Sequence, residues 1–441
     1  MDFTSLQTPP AGLSEALAQA SAVDAALMTG LSRLPEASRE DLEALAGTLA
    51  HSPLAGLVAD AVSRLKRSEF SASACLGLAA GRSALFGSAY DALREQVHGA
   101  SSDEDDTHLL PAGDDAPLLG GVQQWLAELA VAGLQNLTEA NLMPFASVQA
   151  QLQARANLCH QAVLLAGFCD ELISVHQQKQ RAGLPARRWA DMWCASMLGA
   201  HGITSAPAFR TVSGRLHPCG VDVRAHRSFV LATLWGVLET DGQLQVVRWP
   251  FASWKVSVLG PDEIWRAFGS VAQPVLKALA EGKALVLEAA ELSRAGDLTV
   301  HGEASLAGPS DPFALAADWA PVPALRATAR HPVHLAEMVR IEACTIADGM
   351  VQIGTVALPL ALDRLAGLQA EVEEKQLGAT TGMIALLRWD EGWRVQPLAL
   401  RGSGKLKAGL RLGQGIAGRL TKLKTETLSQ LEERASRLLR A

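Results

Sequence analysis

Near residue 205 the apolar residues of this 441-residue chain change their spacing, and no other feature constrains its fold as much. Before that point they recur at helical intervals. Leu42, Leu45, Ala46 and Leu49 follow i, i+3, i+4, i+7, and Leu54, Leu57, Val58, Ala61 and Leu65 form a second such stripe. After it come four places where two β-like runs flank a tight turn containing Gly. Phe229–Leu238 and Leu244–Trp249 flank Thr240-Asp241-Gly242. Leu285–Glu288 and Leu298–His301 flank Arg294-Ala295-Gly296-Asp297. Met338–Ile346 and Met350–Val356 flank Ala347-Asp348-Gly349, and Met383–Trp389 and Trp393–Leu400 flank Asp390-Glu391-Gly392. Asp-Gly supplies the positive φ that hairpin turns demand. The pattern predicts an α+β fold, a helical N-terminal half followed by antiparallel β-hairpins interspersed with helices.

The helical half divides at residues 99–121. Asp103, Glu104, Asp105, Asp106, Asp114 and Asp115 stand there among Gly, Ser and Pro, without Lys or Arg. Like charges repel and there is little to bury, so an acidic flexible linker is expected. This sets a helical domain over 1–98, a helical region over 122–204, and a hairpin-rich domain over 205–441 with a basic C-terminal helix. Ser52-Pro53 reads as an N-cap with Pro at the first helical position. Gly77 and Gly81 give a small-residue face where backbones can approach closely. Leu142–Gln178 reads as one long helix or two, and Ala186–Leu198 as another, with Trp189 and Trp193 on one face. Ile264, Phe268, Val271, Val275 and Leu279 form a stripe with a kink or break at Pro274, and further helices are expected over 360–374 and 421–440.

A chain of this length exceeds one typical core, so two or three domains are expected. Hydrophobic residues are 49% and charged residues 19%, an ordinary globular balance. The net charge of -7 disfavours binding of nucleic acid by the whole surface. The first basic side chain is Arg33, which argues against a secretory signal, and no run of about 18 apolar residues predicts a membrane span. A cytoplasmic bacterial protein is expected. Six Cys in so long a chain do not suggest a disulfide framework.

Those Cys are unevenly placed. Cys159, His160, Cys169, His176, Cys194, His201, His217, Cys219 and His226 lie within 68 residues, nine of the seventeen Cys and His in the chain. Cys169 and His176 are seven apart, as are Cys194 and His201, so on helices each pair shares a face. Thiolates and imidazoles suit zinc, which takes four such ligands in a structural site. The candidate metal set is therefore Cys169, His176, Cys194, His201, His217 and Cys219. No CxxC or HExxH accompanies it, and Cys and His also serve as ordinary buried residues. The leading expectation is no cofactor, with zinc as the alternative.

Catalytic signatures are missing or lack their context. Gly413-Gln414-Gly415-Ile416-Ala417-Gly418 matches GxGxxG, yet no acidic residue follows at the expected distance. It reads as a Gly-rich bend that lets the last helix dock; the phrase also resembles a piece of GAF domains. Around Gly404-Lys405 the first Gly of a phosphate loop would fall on Ala399, and Leu406 replaces the needed Ser or Thr. Ser63 and Lys66 form SxxK without its companion motifs. From Arg401 to Ala441 the balance is +7, but no aromatic residue is available to stack on bases, which disfavours nucleic acid. Trp389 and Trp393 bracket a turn, where exposed Trp would favour an interaction surface.

Two phrases carry a resemblance. Ala186-Arg187-Arg188-Trp189-Ala190-Asp191-Met192-Trp193 and Val212-Ser213-Gly214-Arg215-Leu216, running on through Gly220-Val221-Asp222-Val223, are similar to bacterial proteins encoded beside MoxR-type AAA ATPases, VWA-domain proteins and SWIM zinc-finger proteins. The resemblance spans residues 186–400 and carries no residue of known role. It implies an accessory subunit of an ATPase-linked system. The function expected is a non-enzymatic interaction or scaffold subunit of a cytoplasmic bacterial complex, with other proteins as partners. The alternative is a metal-binding or small-molecule-binding protein, or an enzyme, built on residues 159–226.

Overall fold

The computed structural model describes residues 2–99, 115–178, 185–203, 209–225, 229–254, 265, 268, 272–302, 304–316, 318–322, 330–364 and 372–420. They fall into two compact units. One comprises residues 9–206 with 325–334, and the other comprises 1–8, 207–324 and 335–441.

The first unit is helical. Its elements are α1 (Leu13–Thr29), α2 (Glu36–Thr48), α3 (Ala55–Lys66), α4 (Ala72–His98), α5 (Ala116–Ala132), α6 (Glu139–Leu142), α7 (Phe145–Gln153), α8 (Cys159–Gln178) and α9 (Ala186–Ala200). Leu42, Leu45, Val58, Ala61 and Leu65 are all buried, as their spacing predicts, though Leu57 stays at the surface. Helices from both sides of the 99–121 segment enter one core, which holds Leu27, Leu45 and Leu78 together with Leu126, Trp189 and Trp193. Residues 100–114 of the expected acidic linker lie outside the described residues. Residues 116–121 of it are the first turns of α5. Of the two readings of 142–178, one helix or two, the second holds: α7 and α8 are joined by a 3-10 turn. At Ser52-Pro53 the helix starts later than expected, at Ala55, and the Ser52 hydroxyl accepts the N–H of Leu54 at 3.2 Å. The two glycines of α4 do permit close approach. A Cβ on Gly77 would lie 2.4 Å from the Ala61 Cβ, and one on Gly81 would lie 3.2 Å from Val58 Cγ2.

This unit contains an internal repeat. Gly30-Leu31-Ser32-Arg33-Leu34-Pro35-Glu36-Ala37 returns as Gly133-Leu134-Gln135-Asn136-Leu137-Thr138-Glu139-Ala140. In each copy the Gly ends a 17-residue helix with positive φ, 104° at Gly30 and 89° at Gly133, and a 3-10 turn follows. The copies face each other. Ser32 Oγ donates to the Val131 carbonyl at 2.8 Å, and Asn136 Nδ2 donates to the Thr29 carbonyl at 2.9 Å. A Cβ on Gly133 would lie 2.4 Å from the Thr29 oxygen, and one on Gly30 would lie 2.8 Å from the Ala132 oxygen. The chain of packed neighbours α1–α2–α3–α4 is repeated as α5–α7–α8–α9, and α4 packs on α9 across the pseudo-two-fold.

The second unit is built on β1 (Phe209–Ala225), β2 (Phe229–Thr240), β3 (Gln243–Trp254), α10 (Gln273–Glu281), β4 (Lys283–Ser293), β5 (Leu298–Thr299), β6 (Ser305–Pro309) and α11 (Pro312–Leu315). It continues with β7 (Ala336–Ile341), β8 (Thr345–Ala347), β9 (Met350–Ile353), β10 (Val356–Pro359), α12 (Glu374–Gly378), β11 (Thr380–Trp389), β12 (Trp393–Gly402), β13 (Leu410–Arg411) and α13 (Gln414–Leu420). The first sheet runs β3-β2-β1-β4-β5, with β6 also on β4. The others run β10-β9-β8 and β13-β12-β11-β7. Every ladder is antiparallel. The first sheet curls until its ends meet, where the Arg248 N–H donates to the Gly296 carbonyl at 2.8 Å and its guanidinium pairs with Asp297 at 2.9 Å.

The expected turns form. Asp241 and Gly242 have φ of 50° and 74°, and Asp348 and Gly349 have 51° and 72°, so both central residues are left-handed, as a type I′ turn needs. In the last hairpin Glu391, not Gly392, takes the positive φ of 58°. Two expectations are corrected. The run 338–346 is two strands in different sheets, because β7 pairs with β11 while β8 pairs with β9. Of 360–374, the described residues form only a 3-10 turn at Leu362–Arg364 before α12. The expected helix at 421–440 lies outside the described residues. Pro274 stands in the first turn of α10, where its missing N–H costs nothing. Gly413, at φ 97°, leads into α13, which takes up the rest of the Gly-rich phrase and whose Ala417 enters the core; the helix it was expected to dock lies outside the described residues.

The inner face of the first sheet carries Val230, Ala232, Trp249 and Phe251 against α10 and α13. Part of its other face, with Cys219, Trp235, Val237 and Val246, packs on Met338, Ile384, Leu386 and Leu398 of the β7–β13 sheet. Gly220 makes this second contact possible, since a Cβ there would lie 2.4 Å from the Leu398 carbonyl oxygen. Among the described residues no helix is long and apolar enough to cross a membrane.

Candidate functional site

The Cys/His set divides between the two units. Cys169 lies buried on α8 and Cys194 buried on α9; burial pushes each thiol up to about 12. His201 follows α9, with Nδ1 2.9 Å from the Met197 carbonyl. His176 belongs to α8, and its side chain lies outside the described residues; so does His226. His217 and Cys219 belong to β1 in the other unit. Cys219 is buried, its thiol is likewise pushed up to about 12, and its Sγ donates to the His217 carbonyl at 3.8 Å. Among the described residues no group of three or more His, Cys, Asp or Glu could hold a metal ion.

His217 instead belongs to another constellation. Its Nδ1 is 3.0 Å from Ser310 Oγ and its Nε2 is 3.4 Å from Glu239 Oε2. These partners fix the tautomer: Nε2–H donates to the carboxylate, and Nδ1 accepts the hydroxyl proton. The sheet sets this geometry. His217 of β1 opposes Val237 of β2, so Glu239, two residues on, points from the same face. Ser310 follows β6 and is held by its N–H to the Gly282 carbonyl at 3.0 Å. Burial lowers the His217 pKa, against the pull of Glu239, so the ring is neutral at pH 7 and its Nδ1 is free to take a proton. His217 is 6% exposed and Glu239 46%, so the group runs from the interior of the sandwich to its rim. Arg411 of β13 donates to the Ser310 carbonyl, and Arg401 pairs with Asp311 at 2.7 Å. Nothing in the sequence joins Ser310 to His217, 93 positions earlier; only the β1–β4–β6 pairing does.

Two buried ionic groups serve the fold. Asp222 of β1 accepts from Arg388 Nη2 at 2.7 Å, from Gln396 Nε2 at 2.9 Å and from Arg224 Nε at 3.2 Å. Burial alone would raise the Asp222 pKa, but the Arg388 and Arg224 guanidiniums outweigh it and hold it low. In the helical unit Arg82 bonds Asp24 and, at 2.8 Å, Asp191, with its guanidinium 4.6 Å from the Phe86 ring. His331 stacks on Phe86 at 3.9 Å, and its Nδ1 accepts from the Val333 N–H at 3.0 Å. Burial pushes Asp24 up to about 6 against the pull of Arg82. Burial, aided by His334, Arg82 and Arg187, pushes His331 down to about 3.

The tryptophans at the 390–392 turn are buried. Trp389 and Trp393 are 7% and 4% exposed and pack edge to face at 5.5 Å, so the cross-strand pair is core, not surface. The exposed tryptophan is Trp254, 77% open at the end of β3. Pro250, Ala252 and Trp254 alternate outward along β3, and Phe229 and Leu231 oppose Trp254 and Ala252 on β2. These residues share a sheet face with Trp235 and Val246, and among the described residues it is the Trp235 and Val246 half that packs on the second sheet. No family model matches this chain, and no curated protein or solved structure matches it.

Proposed function

We propose that this chain is an interaction subunit of a cytoplasmic bacterial complex, of the ATPase-linked kind that the resemblance of residues 186–400 implies. The supporting observation is the apolar strip where β2 begins and β3 ends, with Trp254, the last residue of β3, 77% exposed. An exposed Trp among apolar neighbours costs solubility and is the residue type most often found at the energetic centre of protein interfaces. The occupant is a partner protein that lays an apolar segment across Phe229, Leu231, Ala252 and Trp254.

The test is affinity purification of the tagged chain from its native host, beside Trp254→Ala. A MoxR-type ATPase or VWA-domain protein should co-purify with the wild-type chain. The variant should lose it by roughly 30-fold, the scale of a 2 kcal/mol hot spot. Since Trp254 packs on little, thermal stability should be unchanged. A chain without such a partner, or a partner retained undiminished by the variant, overturns the reading.

A further inference from the structure

We infer that Ser310 is a nucleophile, with His217 as its general base and Glu239 as a positioning residue, and that together they cleave carboxylic esters. The inference goes beyond the interaction reading and stands on a different part of the molecule. Three requirements of an activated serine are met by the geometry. The hydroxyl lies 3.0 Å from a ring nitrogen that accepts its proton. The other ring nitrogen, at 3.4 Å, faces a carboxylate that holds the tautomer and compensates the imidazolium that forms. The serine is half-buried at the rim of the sandwich, while the histidine behind it is buried and shielded from water.

The placement is also unusual for a structural hydrogen bond. A neutral buried His needs one acceptor and one donor, and a backbone carbonyl and a backbone N–H would serve. Here both partners are side chains from separate strands and loops, in the order carboxylate, imidazole, hydroxyl.

In the step, Ser310 Oγ attacks the ester carbonyl carbon as its proton passes to His217 Nδ1. The bond to the leaving alcohol breaks, and that alcohol takes the proton from His217. Water then attacks the acyl-serine, His217 taking and returning a proton, and releases the carboxylic acid. One ester and one water give one acid and one alcohol.

The test treats the full chain with a fluorophosphonate probe, in which the Ser310 oxygen displaces fluoride from phosphorus, and locates the adduct by peptide mass spectrometry. p-Nitrophenyl acetate hydrolysis is followed in parallel. One adduct, on Ser310, is expected. Ser310→Ala should abolish it and lower hydrolysis by at least about 100-fold at an unchanged melting temperature. Glu239→Gln should slow labelling by roughly tenfold, and Glu239→Asp should recover part of it, which a merely structural role would not do. A folded chain whose Ser310 stays unlabelled, or hydrolysis that survives Ser310→Ala, overturns the inference. Neither result bears on partner capture through Trp254.

Discussion

Asp24 bonds Arg82, His331 stacks on Phe86 beside that arginine, and the two titrate in opposite senses. The His331 pKa is pushed to about 3, below its unfolded value, so the stability it contributes is complete above about pH 6.5 and is lost as pH falls toward 3. Asp24 is pushed up to about 6, above its unfolded value, so its contribution is greatest in acid and is lost as pH rises through 6. Between pH 6 and 4 the two nearly cancel. Asp24→Asn should therefore expose an acid-sensitive slope of about 1.4 kcal/mol per pH unit, and His331→Phe a slope of the opposite sign. Urea denaturation followed by circular dichroism at several pH values would reveal both. Asp222 behaves in the ordinary carboxylate way. Its pKa is lowered, so its contribution is present above about pH 4 and is lost below. Removing its partner should cost far more than any protonation. Arg388→Ala leaves a 4%-exposed carboxylate without its main cation and should destabilise by about 3–5 kcal/mol, measured by the same unfolding curves.

At the scale of elements, glycines decide which surfaces can meet. Gly220→Ala would drive a methyl group to 2.4 Å from the Leu398 carbonyl, so one sheet must withdraw from the other. A loss of about 1–3 kcal/mol is expected in equilibrium unfolding. Gly133→Ala combines a 2.4 Å clash with a φ of 89°, and should cost more than the same change at Gly120, where a Cβ would have nothing within 4 Å. The same glycines explain what could be read in advance. The Asp-Gly hairpins were legible because two adjacent left-handed residues leave a chemical mark. The longest strand, β1, was not, because Gly214, Pro218, Gly220 and Asp222 all speak against a strand. Its bulges at 212–214 and 218–220 absorb Gly214, Pro218 and Gly220, Arg388 and Gln396 satisfy Asp222, and the close approach to β12 requires Gly220. The helical repeat was written in the recurring Gly-Leu-x-x-Leu-x-Glu-Ala, but a single eight-residue phrase 103 positions apart is easily passed over beside four hairpins. The Cys/His concentration is a feature of the sequence whose members divide between the two units, Cys169 and Cys194 in one and His217 and Cys219 in the other. The Ser310 group was invisible because strand pairing, not spacing, assembles it.

For the whole molecule, unit membership does not follow chain order. Residues 325–334 belong to the helical unit although the chain on both sides of them belongs to the other, and His331 and Pro332 of that strap are buried. A fragment ending at residue 206 would leave Phe86 without the His331 ring that stacks on it. It should unfold at lower urea than the same helices in the full chain, by about 2 kcal/mol, the scale of burying one ring. The reciprocal holds at the other end, since residues 1–8 belong to the sheet unit and Gln7 Nε2 reaches the Thr355 carbonyl at 3.4 Å. During synthesis, then, neither half can finish when its own helices or strands leave the ribosome. The helical half is complete in sequence but must wait for more than a hundred further residues, roughly ten seconds of translation, before the strap arrives to cover Phe86. The opening eight residues, made first, wait longest of all. A nascent chain of this kind spends that interval with Phe86 uncovered, and a premature stop anywhere between residues 206 and 325 would release a helical half without the ring that stacks on it.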